Sequence, residues 1–191
     1  MESVDFNNMR QAMVDGQLRT SGVTSPWVLS AMGDLPREHF VPAGLRTAAY
    51  MDRSLPLAGE RTLNPAVATA LMLQAAEVEV EDSVLLVSTV GGYMATLLSK
   101  RVADVVVIKT LADLPDSVFS LIFIDGAIEF LPDSLLDVAR DGTRIVTGIV
   151  ETGVTRLATG IVRSGKVALR PFADTEIAPL REFAAKREFV F

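Results

Sequence analysis

The chain contains no cysteine and a single histidine, His39. Without thiols there are no disulfides, no thiolate metal sites and no cysteine nucleophile. One imidazole cannot build a multi-histidine metal centre, and no metal ligand set is expected. His39 stands in Pro36-Arg-Glu-His-Phe-Val-Pro42, between a helix end and a turn, and reads as a structural or surface residue. Basic charge is also scarce. Lys and Arg number 18 against 24 Asp and Glu, a net charge of −6, whereas nucleic-acid binding calls for a clustered basic surface. No apolar run approaches the ~18 residues of a membrane helix, so no membrane partner is expected. The N-terminus, Met1-Glu-Ser-Val-Asp, has an acid where an export signal carries basic residues ahead of an apolar stretch. These absences together point to a cytoplasmic protein.

What the chain does have is apolar material. Its 191 residues are 49% hydrophobic, enough for one domain to bury its own core. No repeat or linker divides it, so residues 1–191 are read as one domain in three parts. Residues 1–80 read as helical. Phe6, Met9, Met13 and Leu18 recur at near-helical spacing. Thr24 or Ser25 followed by Pro26 marks a helix start, and Asn64-Pro65 opens another helix that runs to about Ala76.

From residue 81 to 150 the rhythm changes. Val84–Val87, Asp104–Ile108, Leu121–Ile124 and Arg144–Val150 are short apolar runs, with helices expected over about 93–101 and 132–139. Continuous runs rather than alternating ones suit a parallel sheet covered on both faces. The expected fold class is therefore α/β, a Rossmann-like, doubly wound and mostly parallel sheet. Residues 151–191 read differently: Val154–Val162 and Val167–Phe172, joined at Ser164-Gly165, form an antiparallel hairpin before a tail.

Several blocks look familiar. Met13-Val-Asp-Gly-Gln-Leu-Arg19, Val28-Leu-Ser-Ala-Met32, Pro36–Pro42, Tyr50-Met-Asp-Arg-Ser-Leu-Pro-Leu57 and the Asn64-Pro65 helix resemble, in order and spacing, the protein-L-isoaspartate O-methyltransferase family. That resemblance implies an enzyme using S-adenosylmethionine to methylate the α-carboxyl of isoaspartyl residues in damaged proteins. Such catalysis is mostly alignment of two already activated groups, so an intact donor pocket is what it needs.

The donor-binding positions depart from the family pattern. Where the family has a run close to Val-Leu-Asp-Val-Gly-x-Gly-x-Gly-Tyr, this chain has Val84-Leu-Leu-Val-Ser-Thr-Val-Gly-Gly-Tyr93. Leu86 stands for the acid, Ser88 and Val90 for two glycines, and Gly92 is kept, with Gly91 offering an alternative turn. Glycine lets backbone approach a ligand closely, and β-branched valine is the poorest replacement. The ribose-binding acid expected after the next strand is Lys109, which has donors only, with Thr110 beside it. Only Thr110 to Val118 then precede the next strand, too little for a βαβ crossover, so one outer strand is expected to be deleted.

On the substrate side, the family's hydroxyl residue before the helix-opening proline aligns with Leu63. Thr62 is the candidate to replace it, against a plain reading as a loop residue. Asp125 is expected to end a strand at the sheet's carboxyl edge, as a ligand contact or as a helix cap.

The reading is a degenerate family member, a non-catalytic binding or assembly protein with no cofactor. The alternative is an active isoaspartyl methyltransferase using S-adenosylmethionine through a reshaped pocket. A nicotinamide-dependent oxidoreductase rests on Gly91-Gly92 alone. The bare apolar edge of Asp104–Ile108 would need covering, by the Thr110–Val118 loop or by a second subunit in a homodimer, and a protein or peptide partner also suits the non-catalytic reading.

Overall fold

The structure, a computed structural model, describes residues 4–59, 61–90 and 92–185. Helix α1, Phe6–Met13, starts at Asp5, whose carboxylate accepts the Asn8 amide at 3.0 Å. It runs into a π-helical turn at Val14–Leu18. Helix α2, Pro26–Asp34, begins on the proline, where the missing N–H is no loss. No side chain of Thr24 or Ser25 caps it. Gln74 reaches across instead, its Oε1 accepting the amides of Thr24 at 2.7 Å and Ser25 at 2.9 Å.

Helix α3, Ala66–Ala75, is buried almost all round, with Ala66, Val67, Ala68, Thr69, Ala70, Met72 and Leu73 inside. A helix apolar on every side belongs in the middle of a core. Ahead of it, β1, Leu55–Pro56, and β2, Thr62–Leu63, make a short antiparallel pair that periodicity is too short to show.

The main sheet has six strands: β3, Ser83–Val87; β4, Asp104–Ile108; β5, Phe119–Ile128; β6, Ala139–Glu151; β7, Val154–Ile161; and β8, Arg170–Asp174. Their spatial order is β4-β3-β5-β6-β7-β8, parallel from β4 to β6 and antiparallel beyond. This is the mixed, mostly parallel sheet that the apolar runs imply. Alternation along β3 feeds two cores. Val84 and Leu86 pack under the N-terminal helices, while Leu85 and Val87 pack on the other face with Ile122, Ile124 and Phe183. Helix α4, Gly92–Leu98, links β3 to β4, and β4 lies at the edge of the sheet, with one 3-10 turn, Leu111–Asp113, before β5.

The structure corrects several expectations. The helix expected over 132–139 is a single turn, α5, Ser134–Asp137, because Ala139 is already paired with Phe119 in the sheet. Asp141-Gly142 does not precede β6 but lies within it, at a register shift where Gly142 has φ of 92°. The antiparallel part has three strands rather than two. β6 turns into β7 through Thr152 and Gly153, at φ 50° and 82°, the left-handed pair of a tight hairpin. Ser164-Gly165 is a turn as expected, but the strand after it starts at Arg170, not at Val167.

Candidate functional site

The chain leaves β3 for β4 on one side, while β5 lies on β3's other side. Open α/β sheets bind ligands at such a switch point, in the crevice beyond the strands' carboxyl ends. β3 stops at Val87, level with Ile108 of β4 and Ile124 of β5. β5 does not stop there. It bulges after Phe123, re-pairs with β6 at Ala127, and so carries Asp125 past the end of its neighbour.

The place that β3 vacates beside β5 is taken by the C-terminal segment. The Ala127 amide donates to the Ala178 carbonyl and the Leu180 amide to the Ala127 carbonyl, both at 2.8 Å. Pro179 is the bridging residue opposite Ala127. Gly126 is required by this close approach: a Cβ there would lie 2.9 Å from the Ala178 carbonyl oxygen and closer still to Leu180.

Asp125 therefore sits inside a strand rather than at its end, and it caps no helix. Its Oδ1 accepts from Asn64 Nδ2 and its Oδ2 from Ser88 Oγ, each at 2.9 Å. Asn64 Oδ1 accepts the Ala178 amide at 2.9 Å, so one buried amide joins β5 to the C-terminal segment. Burial pushes the Asp125 carboxyl above the usual carboxylate range, against the hydrogen bonds from Asn64 and Ser88 and the charge of Arg37.

Arg37 is fully buried. It donates to the carbonyls of Ala49, at 2.8 Å, and Asn64, and lies over the Tyr93 ring, 4.8 Å from its centre. Beyond it, Glu38 accepts from the Tyr50 hydroxyl and faces Arg10 at 3.7 Å, while Arg10 also donates to Tyr50 at 3.0 Å. Burial and the Glu38 carboxylate push the Tyr50 phenol up to about 12.

The crevice still holds a cavity of about 450 Å³, bounded by Thr62, Val87, Thr89, Lys109, Asp125 and the segment 178–183. The expected site residues divide around it. Thr62, Lys109 and Asp125 line it. Leu86 is fully buried in the core, and Leu63 nearly so. The Ser88 side chain points at Asp125, with the residue 1% exposed. Val90 packs against the main core, and Gly92 begins α4 with Phe40 3.3 Å from where its Cβ would stand. Gly91 lies outside the described residues. Thr110 lines the cavity too, but its hydroxyl is bonded to Asp113 at 3.1 Å.

Arg37, Asn64 and the C-terminal segment are the parts that motif reading misses. Asn64 is visible as a helix opener, but nothing local marks its reach to Asp125 and Ala178.

A sequence model of the family described as "Protein-L-isoaspartate(D-aspartate) O-methyltransferase" matches residues 8–118. The chain belongs to this family. The match ends one residue before β5. A Methanoculleus marisnigri protein-L-isoaspartate O-methyltransferase is 28% identical over 94% of this chain and 94% of its own length. A Roseiflexus castenholzii protein of the same name is 40% identical over 53% of this chain, which corresponds to 46% of that protein.

In fold, the chain is similar to a Plasmodium falciparum structure described as a protein-L-isoaspartate O-methyltransferase in complex with S-adenosyl-L-homocysteine. The TM-score is 0.75 at 13% identity, covering 91% of this chain and 98% of that one. The family's fold is thus shared over about nine-tenths of the chain, while the family's sequence model matches only up to residue 118. Among the described residues no helix is long and apolar enough to cross a membrane, and no group of His, Asp and Glu could hold a metal ion.

Proposed function

We propose that this chain is a member of the protein-L-isoaspartate O-methyltransferase family that has lost S-adenosylmethionine binding and works as a non-catalytic binding or assembly protein. The observation that carries this reading is the turn after β3. There a donor site offers bare backbone to its ligand, and this chain offers packed side chains: buried Ser88 tied to Asp125, and Val90 against the core. The residues supplying polarity fit a sulfonium nucleoside no better. Leu86 is sealed in the core, and Lys109 has no acceptor for a ribose hydroxyl. Asp125 has already engaged both oxygens.

Isothermal titration with S-adenosylmethionine and its demethylated product tests this directly. No heat and no thermal shift at millimolar ligand is the expected result. Binding in the micromolar range, about −8 kcal/mol, would return the chain to the working enzymes.

A second reading, an active isoaspartyl methyltransferase with a reshaped pocket, is favoured by the cavity itself. At about 450 Å³ it falls within the range of small-molecule sites. The names of the relatives favour it too, and the same titration decides between the two.

Under the non-catalytic reading the assembly surface is the edge of β4. Asp104–Ile108 bonds to β3 on one side and has no strand on the other among the described residues, and Val107 is 42% exposed. Leu111 and Leu114 of the following turn pack on the second core. An apolar edge of this kind pairs readily with another extended chain, such as the same edge of a second copy.

A further inference from the structure

The cavity at the carboxyl edge of the sheet carries a charge balance opposite to that of the chain. Over the whole sequence acids outnumber bases, 24 to 18, yet Arg61, Lys109 and Arg181 face this cavity against two acids, Asp125 and Glu182. The acids are also the engaged groups. Asp125 accepts from Asn64 and Ser88, and Glu182 Oε1 accepts the Leu111 amide at 2.9 Å.

Two of the bases are free to act. Lys109 makes no hydrogen bond or ion pair among the described residues. Arg61 uses only Nε, on the Ala58 carbonyl at 2.7 Å, and keeps both terminal nitrogens. Val87, Leu180 and Phe183 add apolar lining to the same cavity.

We infer that this cavity binds a small anionic molecule with an apolar body, its phosphate or carboxylate held by Arg61 and Lys109. A guanidinium with two unused terminal nitrogens matches the two oxygens of such a group, and the lysine adds a point charge. The inference rests on the reading that the crevice no longer serves S-adenosylmethionine, and it adds what the crevice serves instead.

The test uses the full chain, ¹⁵N-labelled, titrated separately with phenyl phosphate, benzoate and phenol. Saturable shifts at the amides of Lys109, Thr110 and Leu111 are expected from at least one anion. Its affinity should be at least about tenfold above that of phenol and should weaken as salt is added. Whichever anion binds identifies the head group. Lys109→Glu and Arg61→Glu, both at exposed positions, should each lower that affinity by about tenfold while leaving the urea unfolding curve in place.

The inference falls if neither anion gives saturable shifts at about ten millimolar, if phenol binds equally well, or if both charge reversals leave affinity unchanged. Failure of the underlying reading shows separately, as heat with S-adenosylmethionine. If neither that compound nor the anions bind, the present inference falls alone.

Discussion

Asn64 is the residue whose removal should reveal most about how the crevice is held. It is 3% exposed, and its side chain makes two short bonds, to the Asp125 carboxylate and from the Ala178 amide. Asn64→Ala deletes both and leaves the Ala178 amide and one Asp125 oxygen without these partners, both half-buried at the cavity wall. A bond to a charged acceptor is worth about 1.5–3 kcal/mol and a neutral one about 1, so the expected loss is about 3 kcal/mol. For a chain of this size that corresponds to a fall in Tm of roughly 6–12 °C. Urea unfolding should show a lower midpoint at an unchanged slope, because the same surface is exposed. Amide exchange at Ala178 and Leu180 should accelerate more than at β3, since the segment loses its side-chain tie first.

Asn64→Asp separates the two bonds. It can still accept from Ala178 but sets a second carboxylate against Asp125, so it should be worse than Ala near neutral pH and should recover as pH falls. A loss below about 1 kcal/mol for Asn64→Ala, with Ala178 exchange unchanged, would refute the idea that this amide fastens the segment.

Other consequences can be measured in the same way. Burial alone would raise the Asp82 carboxyl, but bonds from Ser120, the Glu79 amide and Arg144 outweigh it and hold the pKa below the ordinary value of 3.8. Its stabilisation should therefore be complete above pH 3.8 and fade as pH falls through the lowered folded value. Asp82→Ala should cost about 1–3 kcal/mol, since Arg144 keeps its bonds to the Ala76 and Glu77 carbonyls while the Ser120 hydroxyl and the Glu79 amide lose their acceptor, and it should flatten the acid limb of the stability curve. The chain has two tyrosines, Tyr50 raised to about 12 and Tyr93 also raised, both chiefly by burial. Phenolate absorbance should stay silent through pH 10 in the folded protein and appear on unfolding; a transition near pH 10 in the native state would contradict the burial of both. Val107→Glu should abolish any concentration-dependent dimer seen by sedimentation, and a wild-type chain monomeric at every concentration would remove the β4 edge as an assembly surface.

Much of the sheet is legible in the sequence because its inner parallel strands, β3 and β5, are buried on both faces. Val84–Val87 and Asp104–Ile108 read as short apolar runs, and the structure has strands there, Ser83–Val87 and Asp104–Ile108. What is hidden is whatever depends on a distant partner. Asp125-Gly126 looks like a strand end because Asp and Gly commonly stop strands, yet pairing with β6 on one side and with Ala178 to Leu180 on the other carries β5 through them. The β6–β7 turn is hidden because Thr152 takes a positive φ, which β-branched residues seldom adopt, so no Asn-Gly or Asp-Gly signal marks the hairpin. Arg37 is hidden for a related reason: a charged side chain inside Pro36–Pro42 reads as solvated unless the carbonyls that satisfy it are known.

The departures in sequence and the arrangement in space have a common physical origin. A glycine turn after β3 would leave the carboxyl edge open, with Asp125 facing solvent or a ligand. With Ser88 in place a hydroxyl reaches Asp125, and Asn64 takes the other oxygen while holding the Ala178 amide. The segment thus anchored brings Leu180 so close to Gly126 that a side chain there would collide. Each feature makes sense only with the others: the serine without the asparagine leaves half the carboxylate bare, and the asparagine without the segment leaves its own oxygen unpaired in the core. The edge of the sheet that faces a ligand in an open α/β protein has become, in this chain, partly an internal joint. The charge facing the remaining space is mostly cationic, Arg61, Lys109 and Arg181 against Asp125 and Glu182.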